Sequence, residues 1–168
     1  FETIQLTIHQ WGVDNRVAFD PAKEERVILH HRHGSGDSFR FLGPQIDCKL
    51  LMHEAVAGIV KRARPKVRML LRSQRFYTTP NMIILFKTHI WGSMESQTPA
   101  IYHAATTTLA PIDRIQEGFV GAIGIDTLQA LMEYNMAPLC SRRDIAMLGL
   151  LYKICHGLCH PHLRDLFP

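Results

Sequence analysis

The sequence lacks several features that mark well-defined classes of protein. No stretch of its 168 residues approaches the roughly 20 unbroken apolar residues that a membrane-spanning helix needs. Its four cysteines have no spacing typical of a small secreted disulfide framework, and no signal peptide is recognisable at the N-terminus. We therefore expect an intracellular chain, nuclear or cytoplasmic, with no membrane partner. Its 46% apolar and 20% charged residues are typical of a globular protein.

The most informative absence is that of acidic residues between Glu54 and Glu95. The same window contains eight basic residues, namely Lys61, Arg62, Arg64, Lys66, Arg68, Arg72, Arg75 and Lys87. Removing these eight from the 19 basic residues of the chain leaves 11 against 15 acidic ones, a net charge of −4. Such a concentrated basic band is expected where a protein binds a polyanion, although a solvated helix face is the alternative.

The first 47 residues predict one helix followed by short strands. Ile4, Ile8 and Trp11 repeat at helical spacing, so a helix is expected over residues 2–14. Short strands are expected at 17–19 and 27–30. A hairpin is expected over 26–42, with its turn at 34–37 and with Gly43 and Pro44 ending it.

From Met52 onward the apolar residues follow a helical period. One predicted face is apolar and consists of Met52, Val56, Ile59, Ala63, Val67 and Leu70. The opposite face carries the cations Lys61, Arg64, Arg68, Arg72 and Arg75 at the same steps of three and four. Pro65 removes one backbone hydrogen bond from this helix and is expected to kink or split it.

The remainder of the chain predicts helices. Thr79 and Pro80 are expected to start a buried helix that ends at Trp91, and a loop is expected over 92–99. Further helices are expected at 102–105, 111–122, 126–134 and 141–156, the last ended by Gly157. The fold class is therefore expected to be α+β at the start and all-α afterwards, with the division near residue 48.

Several short motifs occur in a fixed order along the chain. Trp11, Asn15, Phe19 and Lys23 stand four residues apart, and the strand–turn–strand pattern and the run Phe39–Gly43 follow. The basic run 63–72 and the runs 138–143 and 151–157 come later. This order and spacing resemble the C-terminal part of reverse transcriptases of non-LTR (LINE-type) retrotransposons.

The resemblance implies a division into three parts. Residues 1–47 would be the C-terminal end of the polymerase palm, including a short β-hairpin. Residues 48–106 would form the helical thumb, and residues 107–168 a helical post-thumb region. The chain would then be a fragment, with the rest of the palm and the fingers of the same polypeptide preceding Phe1.

The resemblance also implies roles for particular residues. Lys23 would assist catalysis near the departing pyrophosphate, where a cation stabilises the developing negative charge. The hairpin that holds the primer end would contain Arg40, Phe41, Leu42 and Gly43. The basic face of the thumb helix would follow the backbone of the RNA template–DNA primer duplex and would consist of Lys61, Arg64, Arg68, Arg72 and Arg75.

The sequence has no Asp-Asp dipeptide, although enzymes of this kind hold two Mg²⁺ ions with such carboxylates. The fragment alone is therefore expected to bind no cofactor and to be inactive, while Mg²⁺ is expected for the full-length enzyme. Cys155, Cys159 and His160 suggest zinc, but their spacing is not that of a known zinc knuckle. Two alternatives stay open: a free-standing helical nucleic-acid-binding or interaction module derived from such a polymerase, and a zinc-stabilised helical adaptor.

Overall fold

The structure, a computed structural model, describes residues 2–24 and 26–165. In chain order its helices and strands are α1 (Glu2–Asp14), β1 (Phe39–Arg40), β2 (Gln45–Ile46), α2 (His53–Arg72), α3 (Thr79–Phe86), α4 (Gly92–Glu95), α5 (Thr98–Ile101), α6 (Thr106–Ala122), α7 (Thr127–Tyr134), α8 (Leu139–Cys155) and α9 (Pro161–Arg164). Short 3-10 helices at Pro21–Lys23 and Gln74–Phe76 and a π-helix at Lys87–Trp91 lie between them. The protein is mostly helical with a small antiparallel sheet, so it fits the α+β description.

The N-terminal helix has the predicted bounds, but its apolar residues do not face a core. The side chains of Ile4, Ile8 and Trp11 are all exposed, with Trp11 at 53% of its free surface. The chain leaves the helix through Arg16, which has a left-handed φ of 57°. The predicted strand at 17–19 is wrong, because these residues form no strand and pair with no strand in the described chain.

The hairpin lies further along the chain than predicted. β1 and β2 pair Phe39 with Ile46, and the turn between them occupies residues 41–44. Gly43 and Pro44 therefore form the turn instead of ending the hairpin, because Gly43 supplies the φ of 121° that the turn needs. A single bridge between Ile28 and Ser35 is all that the described residues retain of the predicted 26–42 pairing.

The carboxylate of Asp47 organises the entry into α2. It accepts hydrogen bonds from the backbone N–H groups of Lys49, Leu51 and Met52, the last at 2.6 Å. Partial burial would raise the pKa of Asp47, but these N–H donors outweigh that effect and lower it below its usual value. Asp47 thus acts as the polar cap of the segment that precedes the longest helix of the protein.

The long helix α2 has the face that its period predicts. Val56, Ile59, Ala63 and Val67 are buried, and the basic residues lie on the opposite side. Pro65 does not split the helix, contrary to one of the two expected effects. Only the carbonyl of Lys61 loses its helical donor at Pro65, and because this residue is exposed, water can replace the missing bond.

The segment between α2 and α6 is more helical than predicted. Helix α3 begins at Thr79, and Thr78 is the residue that precedes it. The helical path then continues through the π-helix and α4 as far as Glu95. The predicted loop at 92–99 and the predicted helix at 102–105 are therefore wrong. Gly92 adopts helical angles, and Pro99 lies in the first turn of α5, where proline is well tolerated.

The core lies between α2, the α3–α4 path and α6. The buried apolar cluster runs from Met52 to Leu139, so it includes residues of both predicted helical regions. At its centre the rings of Phe86 and Phe119 stack with centroids 4.3 Å apart. Helices α2 and α6 run side by side in the same direction, because His53 meets Thr108 at one end and Gln74 meets Ala122 at the other. None of the described helices is both long and apolar enough to cross a membrane.

Helices α7 and α8 pack on α6, and α9 packs on α8. Asp126, the first residue of the helix predicted at 126–134, caps α7, and its side chain accepts a hydrogen bond from the backbone N–H of Gln129. Helix α8 begins at Leu139, two residues before the predicted Ser141, and directly follows Pro138. Gly157 lies just after the end of α8 and has a φ of 67°, as its position predicts.

Candidate nucleic-acid interface

Four of the five cations predicted along α2 lie on its exposed side, whereas Arg75 lies beyond the helix, because α2 ends at Arg72. Arg64, Arg68 and Arg72 are separated by four residues each, which is about 6 Å of helix axis. Lys61 precedes them, and Arg75 follows in the short 3-10 helix with its guanidinium over the ring of Phe76. Within residues 2–24 and 26–165 none of the five forms an ion pair with a carboxylate. We call this row of side chains the cationic stripe.

The cationic stripe forms one wall of a groove between α2 and α6. An open cleft of about 700 Å³ is lined by Lys61, Arg64 and Arg68 on one side and by Thr107, Thr108 and Pro111 on the other. A second cleft shares Arg64, Arg68 and Pro111 with the first and continues past Arg114. A third cleft is lined by Arg72 and Arg75 together with Thr79 and Met82 of α3 and Ile123, and it shares no lining residue with the first two. The first two clefts thus form one seam, the α2–α6 groove, which Lys61, Arg64 and Arg68 border, while Arg72 and Arg75 line the separate cleft at the end of α2.

The α6 wall of the groove is built from small residues and one further cation. Thr107, Pro111, Arg114 and Gly118 follow one another at steps of three and four along the helix. A Cβ atom added at Gly118 would meet no other atom within 4 Å. The α6 side of the groove therefore has no bulky side chain at this position and is open to solvent. Because α2 and α6 are parallel, the positive ends of both helix dipoles lie at the same end of the groove.

The predicted primer-holding residues form the exposed tip of the hairpin. Leu42 is 91% exposed and Phe41 is 58% exposed, although both are large apolar side chains. Leu42 also has a positive φ of 49°, which is uncommon for a residue other than glycine. Arg40 braces the turn by donating from Nε to the carbonyl oxygen of Gly43 at 3.1 Å. The tip therefore exposes apolar side chains to solvent, while the hydrogen bond from Arg40 holds the backbone of the turn.

The hairpin lies against the first half of α2. Together they enclose a polar cavity of about 350 Å³, which we call the hairpin cavity. Arg40 and Gly43 of the hairpin line it opposite Glu54, Gly58 and Arg62 of α2. Arg62 directly follows Lys61 and projects from the adjoining side of the helix, so the cavity is a neighbour of the cationic stripe.

Lys23 is not brought to either of these features. Its side chain is 84% exposed, and its ammonium lies 3.5 Å from the carboxylate of Asp20 in the same turn. It lines neither the α2–α6 groove nor the hairpin cavity. Its predicted catalytic role rests on the resemblance.

A buried polar cluster fixes α6 behind the groove. Trp91 donates from Nε1 to Gln116 Oε1 at 2.8 Å, and the amide of Gln116 donates to the carbonyl of Ala137 at 2.9 Å. Arg143 makes two hydrogen bonds to Asp113 at 2.7 and 2.9 Å. Arg142 pairs with the carboxylate of Glu95 while its guanidinium lies 3.7 Å from the centre of the Trp91 ring. These contacts hold the groove wall in place from the side of α8.

The residues that α6 contributes to the groove are not among those predicted from the sequence. Thr107, Arg114 and Gly118 reach the groove only because α6 packs parallel to α2, some fifty residues away in the chain. One local signal was present, since the small residues on α6 repeat at helical steps on the side away from its buried residues. Gln97, which lines the hairpin cavity, was assigned to a loop without a role.

The described residues offer no obvious place for a metal ion. No group of three or more His, Cys, Asp or Glu side chains in this part of the chain is arranged to hold one. Cys155, Cys140, Cys48 and Cys159 are free thiols, the first two exposed.

Comparisons with known proteins do not place this chain in a family. No family model, no curated protein and no solved structure matches it. The likeness to reverse transcriptases therefore remains a prediction from the order of the sequence motifs.

Proposed function

We propose that this chain is the palm end, thumb and post-thumb region of the RNA-directed DNA polymerase of a non-LTR retrotransposon. In this role it grips the hybrid duplex of RNA template and DNA primer, while the upstream palm and fingers supply the catalytic carboxylates. The observation that carries the proposal is the α2–α6 groove, bordered by Lys61, Arg64 and Arg68 of the cationic stripe.

The dimensions of the stripe fit a sugar–phosphate backbone. From Lys61 to Arg72 the helix rises about 16 Å, and one strand of a duplex carries a phosphate about every 3.4 Å along its axis. The stripe therefore spans about five phosphates. Because its guanidinium groups have no carboxylate partner in the described chain, they can bind phosphate without first breaking an internal ion pair. Binding of this kind does not depend on base sequence.

The exposed hairpin tip supports contact with the end of the primer. Phe41 and Leu42 offer apolar surface that can pack against a terminal sugar or base pair. Gly43 has no side chain, so a nucleic-acid backbone can approach it closely. Lys23 keeps its proposed assisting role from the resemblance. The chain itself has no Asp-Asp pair, so in this proposal it binds the duplex and does not add nucleotides.

A second candidate is a free-standing helical module that binds nucleic acid. One observation favours it: the buried apolar cluster lies wholly within residues 52–139, so the helical part has a core of its own. A hybrid with a recessed DNA 3′ end distinguishes the two candidates when compared with a blunt hybrid of equal length. The polymerase proposal expects a preference for the recessed end that is lost in Phe41→Ala/Leu42→Ala, whereas the module expects equal binding.

Charge reversal tests the groove. In the triple variant Arg64→Glu/Arg68→Glu/Arg72→Glu, hybrid binding should weaken by at least a factor of ten. The slope of log affinity against log salt should also become shallower by about three, because roughly one counterion is released per phosphate contact. Fluorescence anisotropy at several salt concentrations measures both quantities.

The matched control reverses three exposed arginines outside the groove, Arg16, Arg32 and Arg164, and so changes the net charge equally. It should keep most of the affinity. Equal losses in the two triple variants would mean that net charge alone, and not the groove, binds the duplex.

A further inference from the structure

A cleft of about 370 Å³ lies where α2 meets α3 and the π-helix. It is on the opposite flank of α2 from the cationic stripe, because Lys66 and Met69 stand on the other side of the buried face from Arg64. Five of its eight lining side chains are apolar or aromatic, namely Met69, Leu70, Tyr77, Leu85 and Ile90. We call this apolar feature the α2–α3 cleft.

The apolar part of the α2–α3 cleft is open to a partner. Ile90 is buried, whereas Met69 is 69% exposed and Tyr77 is 46% exposed. An exposed methionine is common on surfaces that bind apolar partners, since its flexible side chain adapts to their shape. One wall is the π-helix Lys87–Trp91, and turns of this rare kind are frequent at functional sites. The cleft therefore offers apolar surface that the fold itself leaves uncovered.

The two ends of the cleft differ in polarity. Residues 73–78 connect α2 to α3 at one end, where Tyr77 lines the cleft. At the other end Lys66 meets the π-helix and donates from Nζ to the carbonyl oxygen of His89 at 3.4 Å. Lys66 and His89 thus form a polar end, and the apolar side chains extend from it towards Tyr77.

The polar end is suited to a carboxylate. An ammonium group has more than one N–H donor, so Lys66 can bind a carboxylate while it keeps its bond to His89, whose ring can donate as well. Among the described residues no carboxylate lines the cleft, and the sequence has none between Glu54 and Glu95. The charge around the cleft is therefore positive, and an acidic group of a partner meets no internal competitor there.

We propose that the α2–α3 cleft binds an amphipathic helix of a partner protein, with the partner's apolar side chains on Met69 and Ile90 and its acidic residues at Lys66. From Lys66 to Ser73 the cleft follows about two turns of α2, or about 10 Å. Over that length a helix presents apolar side chains at i, i+4 and i+7.

A nucleic-acid strand fits the cleft less well than such a helix. A strand carries phosphate groups along its whole length, whereas the lining is cationic at the Lys66 end only. The inference does not depend on the proposed function, since the α2–α6 groove lies on the other flank of α2.

Fluorescence anisotropy with designed peptides tests the proposal. The probe is a labelled helical peptide of about 15 residues, built from alanine and glutamine, with three leucines at steps of four and three and two glutamates before the first leucine. Control peptides replace the glutamates by glutamine or the leucines by alanine. The first control should bind about fivefold more weakly and the second about tenfold or more. No binding of the glutamate peptide at millimolar concentration, or equal binding of all three, would overturn the proposal.

A substitution in the apolar part locates the peptide. Met69→Glu places a carboxylate there and should weaken binding of the glutamate peptide by about tenfold or more. Its matched control is Met132→Glu, since Met132 on α7 is 73% exposed and does not line the cleft. Because both methionines are exposed, neither variant should change the circular dichroism spectrum. Equal weakening in the two variants would mean that added negative charge alone acts, and would contradict binding in the cleft.

A charge exchange tests the polar end. Lys66→Glu should weaken binding of the glutamate peptide about tenfold. It should also bind a peptide with lysines in place of the glutamates more tightly than the unmodified chain does. Lys61→Glu changes a cation on the other flank of α2 and should have little effect on either peptide at physiological salt. A preference for the glutamate peptide that survives Lys66→Glu would overturn the role of Lys66.

The same variants separate the cleft from the groove. The groove triple variant should keep peptide binding, and Met69→Glu should keep binding of the hybrid duplex. Loss of peptide binding in Met69→Glu therefore supports the cleft even if the duplex does not bind in the groove.

A second copy of the chain is the alternative occupant, since α1 exposes Ile4, Ile8 and Trp11 at the same helical steps. Sedimentation velocity over a range of concentrations distinguishes it. A chain that stays monomeric supports a separate partner. A dimer that Met69→Glu dissociates would assign the cleft to a second copy and overturn the proposal.

Discussion

The N-terminal segment, residues 2–47, and the helical body, residues 52–156, contain helices with similarly spaced apolar residues but pack them differently. In the body, the apolar face of α2 is covered by α3, the π-helix, α4 and α6. In the described residues of the N-terminal segment Gly12 alone is buried, and the apolar side chains of α1 face solvent. An apolar period therefore predicts a helix, but it does not identify the surface that covers the helix.

The two segments also use different interactions to hold their shape. The body combines a continuous apolar core with the buried ion pair of Arg143 and Asp113. The N-terminal segment depends on exposed polar contacts, such as that of His9 with Glu24, and on the two-stranded hairpin. Exposed ion pairs contribute about 1 kcal/mol or less. We therefore expect the free energy of unfolding to come almost entirely from the body.

The largest expected effect follows from removing a ring at the centre of the body. Phe119 is fully buried and stacks on Phe86, so Phe119→Ala should lower the free energy of unfolding by about 3–5 kcal/mol. The equivalent truncation in the N-terminal segment is Trp11→Ala, which should cost less than about 1 kcal/mol because Trp11 is half exposed. Urea unfolding followed by circular dichroism measures both.

A cost for Trp11→Ala as large as that for Phe119→Ala would contradict the comparison. It would mean that α1 packs on the body in solution. The free energy of unfolding should fall in each variant without a change in the m-value, since neither substitution alters the surface that unfolding exposes.

The next effect concerns the ion pair that anchors α8 to α6. Asp113→Ala leaves the guanidinium of Arg143 buried without its partner and should lower the free energy of unfolding by about 3 kcal/mol. Replacing both partners by apolar residues, Arg143→Met with Asp113→Leu, should recover most of that loss. Thermal unfolding of the two variants gives the comparison. A double variant no more stable than Asp113→Ala would show that packing rather than charge is responsible.

A smaller, pH-dependent effect is expected where the two segments join. Because the pKa of Asp47 is lower in the folded protein than in the unfolded chain, its stabilisation is present above the unfolded value near 3.8. It is lost as the pH falls through the lower folded value. Asp47→Asn should therefore reduce stability at neutral pH by about 1 kcal/mol and should flatten the fall in stability below pH 4.

Hydrogen exchange at Leu51 and Met52 locates the effect of Asp47, since their amides donate to its carboxylate. Both amides should exchange faster in Asp47→Asn. Unchanged exchange there, together with an unchanged acid transition, would rule out the capping role.

The smallest expected effect is spectroscopic and needs no loss of stability. The two tryptophans report on the two segments separately, because Trp91 is buried in the body and Trp11 is half exposed in α1. Trp11→Phe should shift the fluorescence emission to shorter wavelength and reduce quenching by acrylamide, while the unfolding midpoint stays the same. Emission and quenching identical to those of the unmodified chain would place Trp11 in a buried environment and remove the contrast between the segments.

Local patterns predicted the regular parts of this fold well. The bounds of α1, the buried face of α2 and the cap at Asp126 follow from spacing and from single side chains, which act within one or two turns of helix. The predictions were wrong at residues that are compatible with two different local conformations. Gly43 and Pro44 form a turn as readily as they end a strand, and Gly92 and Pro99 fit within helices that their neighbours stabilise.

By itself, the sequence determined that an acid-free cationic stripe lies along one face of a long helix, because residues three and four apart share a face in any α-helix. The tertiary structure alone decided that this stripe borders a groove, since Arg114 and Gly118 arrive from α6 through parallel packing on α2. It also decided that the hairpin meets Arg62 and Gln97 around one cavity. Contacts between residues far apart in the chain depend on how buried faces fit together, and no local period encodes that fit.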